Sequence, residues 1–290
     1  MFHIRPKRCF ARGLVLPAVA VIAVGISLSS APAMATISAT ISAHAAGGIP
    51  APRLVAGPAS PDSAGPPSMV QRPSGETDIA AVVDGALMFF WNYQGNPTWE
   101  HEQVTLGSVS GRPSMVQRPS GETDIAAVVN GTLRFYWNYQ GNPTWESEQV
   151  ASSAAGSPSM VQRPSGETDI TAVVGTTLMF YWNYQGSPKW EFEQVTSSPG
   201  GIADSPSMVQ RSSGETDIAA VVNGTLRFLW NYQGNPTWDT EQVKSGDAGP
   251  PSMVQRPSGE TDITAPISGT LTFLWNYQGN PKWEHERVTS

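Results

Sequence analysis

Cysteine is almost missing. The only one among 290 residues is Cys9, so no disulfide braces the chain and stability must come from packing. Histidine is scarce: beyond His3 there are only His44, His101 and His285. There is no His-Glu-x-x-His metal motif, no Gly-x-Ser-x-Gly nucleophile elbow and no phosphate loop. Charge is sparse, 14% of residues, and leans acidic, with 24 Asp and Glu against 17 Lys and Arg. An acidic chain repels phosphate backbones, so nucleic acid is not an expected partner. No cofactor and no metal are expected either.

Long apolar runs are also lacking, with one exception. Gly13 to Leu28 reads "GLVLPAVAVIAVGISL" and contains Pro17; a spanning helix wants about 20 residues. Arg5, Lys7, Arg8 and Arg12 precede it, and Ala33-Met34-Ala35 follows as a small-x-small cleavage site. Residues 1–35 therefore read as a secretory signal peptide, with Ala43-His44-Ala45 as a second cleavage choice. Cys9 lies before the apolar run, which argues against a lipoprotein. Cleavage removes Cys9 and four basic residues. The remainder carries 13 basic and 24 acidic residues, net −11, and is expected to be secreted, with no membrane insertion. It would reach a compartment where disulfides persist without having any. Residues 36–66 form a linker; from Ala46 they are Pro, Ala, Gly and Ser with little to bury.

What the sequence has in abundance is repetition. The Met of "SMVQR" or "SMVQ" recurs at Met69, Met115, Met160, Met208 and Met253, at spacings of 46, 45, 48 and 45. All ten Trp lie in these repeats, two per copy. Each copy offers four strand-like runs, illustrated by the second. Ser114–Arg118 is short and ends at a "PSGE" turn. Thr123–Val129 is apolar on both faces, as a strand buried on both faces must be. Asn130-Gly131 signals a tight hairpin. Leu133–Tyr139 places Leu133, Phe135, Trp137 and Tyr139 on one face. Trp145–Val150 is polar after its Trp, as suits a solvated outer strand. A meander of about 46 residues cannot bury both faces alone, whereas five stacked around an axis can. The expected fold is all-β: a five-bladed β-propeller over 67–290, four antiparallel strands per blade, the first at the hub. The repeats are set at 67–112, 113–157, 158–205, 206–250 and 251–290. A β-helix wants shorter rungs, and a sandwich need not repeat its sequence. The remaining alternative is a fragment that completes its ring by oligomerising.

The order of these motifs resembles the PLL-like β-propeller lectins, bacterial fucose-binding proteins, and repeat proteins exported by actinomycetes. It runs from the Pro-Ser strand through a Gly turn, "TDIAAVV", a Gly hairpin and an aromatic-x-Trp strand to a Trp opening the last strand. The resemblance covers 67–290 and implies a propeller that binds carbohydrate. Those lectins have seven blades and this chain has five repeats; five-bladed tachylectin-type lectins are worded differently. No sugar contact is carried over.

Candidate chemistry lies in three groups. The first is a pair of carboxylates per copy: Glu76/Asp78, Glu122/Asp124, Glu167/Asp169, Glu215/Asp217 and Glu260/Asp262. Glycoside hydrolysis needs two carboxylates flanking one bond, but these sit two residues apart at a strand start. They are expected to hold a turn or a neighbouring blade through backbone N–H groups, with calcium, sugar hydroxyls or catalysis as alternatives. The second group is Arg72, Arg118, Arg163, Arg211 and Arg256, which could pair with Asp or Glu of the next repeat or meet an anionic ligand. Pairing is the expectation, since a carboxylate pair lies four to six residues away across a hairpin. The third is aromatic. It comprises Trp99, Trp145, Trp190, Trp238 and Trp283, with Tyr93, Tyr139, Tyr184, Tyr232 and Tyr277. Asn92, Asn138, Asn183, Asn231 and Asn276 lie beside them. A partly exposed ring beside an amide suits a pyranose, with its apolar face and hydroxyl rim, yet the same rings can pack blade on blade. His101 and His285 occupy a position held by Ser147, Phe192 and Thr240 in other copies, which does not suit a catalytic base. The Asn-Gly-Thr triplets at Asn130 and Asn223 match a glycosylation sequon but sit in tight turns. The expectation is a secreted lectin-like protein with equivalent inter-blade sites for glycans, not an enzyme. An extracellular scaffold is the alternative, and a glycoside hydrolase the remote one. Oligomerisation is left open.

Overall fold

A computed structural model describes residues 65–289, apart from 94, 140, 141, 143, 185, 186, 188, 204, 233, 234, 278, 279 and 281. The leader, both cleavage sites and nearly all of the linker lie outside the described residues. Five four-stranded antiparallel sheets follow one another. Blade 1 is β1 Ser68–Gln71, β2 Glu76–Val83, β3 Ala86–Tyr93 and β4 Glu100–Thr105. Blade 2 is β5 Val109–Gln117, β6 Glu122–Val129, β7 Thr132–Tyr139 and β8 Glu146–Ser152. Blade 3 is β9 Ala154–Gln162, β10 Glu167–Val174, β11 Thr177–Tyr184 and β12 Glu191–Ser197. Blade 4 is β13 Ser207–Gln210, β14 Glu215–Val222, β15 Thr225–Tyr232 and β16 Asp239–Lys244. Blade 5 is β17 Ser252–Gln255, β18 Glu260–Ile267, β19 Thr270–Tyr277 and β20 Glu284–Arg287. The fold is a five-bladed β-propeller. Every sheet pairs four consecutive strands in chain order, so no blade borrows a strand from elsewhere in the chain. β5 and β9 begin at Val109 and Ala154, four residues before the repeat boundaries at 113 and 158.

The hairpin between the second and third strands forms where Asn-Gly predicted it. Asn130 and Gly131 both have positive φ, 51° and 73°, the backbone that matches strand twist in a two-residue turn. In blade 2 several strand ends differ from the sequence expectation by one or two residues, β6 and β7 beginning at Glu122 and Thr132 and β8 running on to Ser152, and two differences matter for the site. β5 begins at Val109 rather than Ser114, because Val109 and Ser110 pair with Val129 and Val128 across a register shift. β8 begins at Glu146, so Trp145 stands before the strand and is free to turn toward the preceding blade.

The core lies between blades. In β6, Ile125, Ala127 and Val129 pack toward blade 1, with Ala80, Leu87, Phe89, Met115 and Tyr136. Ala126 and Val128 of the same strand pack toward blade 3, with Leu133, Phe135, Ile170 and Trp190. Two further clusters of the same make-up join blades 3 and 4 and blades 4 and 5. First strands of successive blades touch, β1 with β5, β5 with β9, β9 with β13 and β13 with β17. At each contact a Ser hydroxyl accepts from the next blade's Met N–H at 3.0 Å, Ser68 from Met115, Ser114 from Met160, Ser159 from Met208 and Ser207 from Met253.

Candidate functional site

Each junction carries two layers of polar and aromatic contacts, built from the turn after the first strand and from the ends of the third and fourth. At the junction of blades 1 and 2, Arg72 closes β1. Its Nε donates to Asp78 at 2.6 Å and lies 2.9 Å from Glu76. Its two terminal nitrogens cross to blade 2 and donate to the Thr123 hydroxyl at 2.9 Å and the Gly121 carbonyl at 3.4 Å. Arg118, Arg163 and Arg211 repeat this with Thr168, Thr216 and Thr261. The arginines thus pair with carboxylates of their own repeat, not of the next as the sequence suggested. The hairpin register puts residues i+4 and i+6 beside the Arg, and only its fork reaches over. The Asp accepts from Arg at one oxygen, while its Oδ1 is buried without a hydrogen-bond partner in every blade.

Burying two carboxylates around one guanidinium has an electrostatic consequence. Burial pushes Asp78 up to about 6, Asp124 and Asp217 to about 7 and Asp169 to about 8. The adjacent Arg opposes the rise and the neighbouring Glu adds to it.

Above this layer lies an aromatic one. The Phe89 ring stacks on Trp91 at 5.5 Å and meets the edge of Trp145 from blade 2 at 5.3 Å. The Trp145 indole N–H donates to Glu102 on the fourth strand of blade 1 at 2.7 Å. Trp190 to Glu148, Trp238 to Glu193 and Trp283 to Glu241 repeat the bond at 2.7–2.8 Å. The third-strand Asn of the later blade is pinned by its own turn. Asn138 Nδ2 donates to the Asn142 carbonyl at 2.9 Å, leaving Oδ1 buried without a partner.

Between these groups a cavity opens, about 390 Å³ at junction 1–2, 360 Å³ at 2–3 and 330 Å³ at 4–5. The first blade lends Arg72, Glu76, Phe89, Trp91 and Glu102; the second lends Thr123, Asn138, Tyr139, Asn142 and Trp145. The proposed Trp, Tyr and Asn of blades 2, 3 and 5 thus come together in one wall of each cavity. In blade 4, Trp238 makes the same contacts across its junction, and Asn231 is buried and pinned in the same way. Among the described residues, no hydrogen bond or ring contact joins Trp99, Tyr93 or Asn92 of blade 1 to another blade. Trp99 is 45% exposed where Trp190 is 7%. Sequence reasoning missed the opposite wall. Its Glu102-type residues sit in a strand read as solvated, and the signal is a Glu kept three residues after the second Trp in every copy. No group of three or more His, Cys, Asp or Glu among the described residues is arranged to hold a metal ion.

No family model and no curated protein matches this chain. Solved structures do. A mutant of Aleuria aurantia lectin in complex with α-methyl-L-fucoside aligns at 11% identity and TM-score 0.58, over 79% of each chain. The chain shares the β-propeller fold of such proteins. An α-L-arabinanase of Penicillium chrysogenum, complexed with arabinobiose, aligns at 11% identity and TM-score 0.57, over 78% of this chain and 81% of that one. A Hadza microbial sialidase aligns at 10% identity and TM-score 0.55, over 78% of this chain but spanning only 58% of the sialidase. At such identities the likeness is of fold alone.

Proposed function

We propose that this chain is a secreted, lectin-like protein whose inter-blade pockets bind carbohydrate. The observation carrying the reading is the pocket itself, repeated at successive junctions. It has rings on two sides, a buried unpaired amide oxygen in one wall, and a volume in the range of small-molecule sites. An indole beside an acceptor of hydroxyl protons suits a pyranose. The nearness in fold to a lectin and to sugar-cleaving enzymes agrees with the choice of ligand class. Sites that are weak singly gain by being several on one rigid body.

Binding is favoured over hydrolysis because the pocket carboxylates are already engaged. The Glu of the second strand faces an Arg, and the Glu of the fourth accepts from an indole. The carboxyl groups with raised pKa are the Asp residues beneath the Arg, and these are fully buried in blades 1 to 4. A scaffold without sugar binding is favoured by one fact: Trp190 and Trp283 are largely buried, as rings holding blades together would be. A glycan array followed by calorimetry tests the proposal. The expected result is several equivalent sites, with Trp145→Ala removing one and leaving the affinity of the rest unchanged. No binding to any glycan on the array, with the fold intact by circular dichroism, overturns it.

A further inference from the structure

Four junctions are complete and a fifth is divided. Blade 5 ends in the face that every earlier blade turns to its successor, and blade 1 begins in the face that every later blade turns to its predecessor. Among the described residues, no hydrogen bond, ion pair or ring contact joins the two. Arg256 holds Asp262 and Glu260 as its counterparts do, yet it is 52% exposed and reaches no Thr or Gly across a junction. Phe273 stacks on Trp275 but meets no second Trp. Met69 is 66% exposed, whereas Met115, Met160, Met208 and Met253 are buried. Leu271 and Val254 are exposed on the opposite face.

We propose that these end faces bind each other between two copies of the chain. Blade 1 of one copy seats on blade 5 of the other and completes a fifth pocket from residues of both. Complementarity is already demonstrated four times by the same residue types in the same positions. Trp99 finds Glu286 and Phe273, Arg256 finds Thr77, and Ser252 accepts from the Met69 N–H. The second copy is preferred to closure within one chain because the internal junctions are so alike. Arg–Asp is 2.6 Å and Ser–Met 3.0 Å at each. Among the described residues no strand of blade 1 packs on blade 5 as the inner first strands pack on one another, and bringing the two together within one chain would have to disturb these four alike junctions. The contact is head-to-tail, so each copy keeps one free end until the assembly closes. The inference concerns the junction and holds whatever fills the pocket.

The test uses the full chain carrying Cys9→Ser, which removes the native thiol. Met69→Cys and Ser252→Cys are made in separate chains, mixed and oxidised. Met253→Cys with Ser207→Cys in one chain is the control that cross-links across an internal junction. Expected are a cross-linked dimer joined between positions 69 and 252, sedimentation that depends on concentration, and about tenfold weaker association with Trp99→Ala. Two results overturn the proposal. One is a Met69→Cys, Ser252→Cys double variant that cross-links within a monomer. The other is a chain that stays monomeric at all concentrations and gives no 69–252 link while the control does.

Discussion

Replacing Arg163 by Met is the sharpest perturbation of the junctions. The side chain is 6% exposed. Its Nε lies 2.6 Å from Asp169 and 2.8 Å from Glu167, and its fork donates to the Thr216 hydroxyl at 2.8 Å and the Gly214 carbonyl at 3.3 Å. Met fills much of the volume but leaves two buried carboxylates without their cation. Stranding one partner of a buried ion pair costs about 3–5 kcal/mol. For a fold of this size that corresponds to a fall in Tm of roughly 6–20 °C. The carboxylates can take up protons instead of unfolding, so the loss should be larger at pH 8 than at pH 5.5. Arg256→Met is the internal control: same residue, same two carboxylates, but half exposed and without a blade beyond it. Its Tm should fall by a small fraction of the Arg163 shift. Scanning calorimetry of both variants at both pH values decides it. Equal falls at the two positions, or no fall at Arg163, would refute the view that the guanidinium fork joins blades.

Other outcomes follow from the same geometry. Trp190→Ala should lower stability by about 3–5 kcal/mol, and Trp99→Ala far less, in urea unfolding. The raised pKa values of Asp78, Asp124, Asp169 and Asp217 mean that the folded chain holds more protons than the unfolded one above about pH 4. Their contribution is therefore greatest in acid and is lost as pH rises through about 6 to 8. The urea midpoint should be higher at pH 5.5 than at pH 8, and the reverse order would refute the buried protonation. Export should release a chain beginning at Thr36 or Ala46, read by N-terminal sequencing; recovery with Met1 attached would refute cleavage.

Much of the blade was legible from alternation alone. Ile125 and Val128 face opposite ways because strands alternate, and Asn130-Gly131 marks a tight hairpin because few residue pairs adopt positive φ twice. What joins one blade to the next was not legible. Arg118 holds Glu122 and Asp124 of its own repeat and crosses to the Thr168 hydroxyl of the next. The sequence suggested a cross-repeat carboxylate instead, because spacing shows neither which hairpin face an Arg takes nor which hydroxyl its fork reaches. Glu148 follows the pattern of a solvated strand, and only the returning Trp190 indole shows that it is engaged. The divided junction was hidden for the same reason. Trp99 and Arg256 are worded like their inner copies, and only their exposure in the folded chain sets them apart.

Identical junctions also affect how the chain finds its fold. Any blade's tryptophan face fits any blade's arginine face, so blade 2 has no chemical means of distinguishing blade 3 from blade 4 as its neighbour. Only the connectors discriminate, and they differ by a few residues. A chain refolded from denaturant meets all five faces at once and can skip a blade, burying nearly the same surface in the wrong order. A chain threaded out through an export channel meets them one at a time, and the earlier pair docks before a rival exists. Temporal order supplies the specificity that the contacts themselves do not encode.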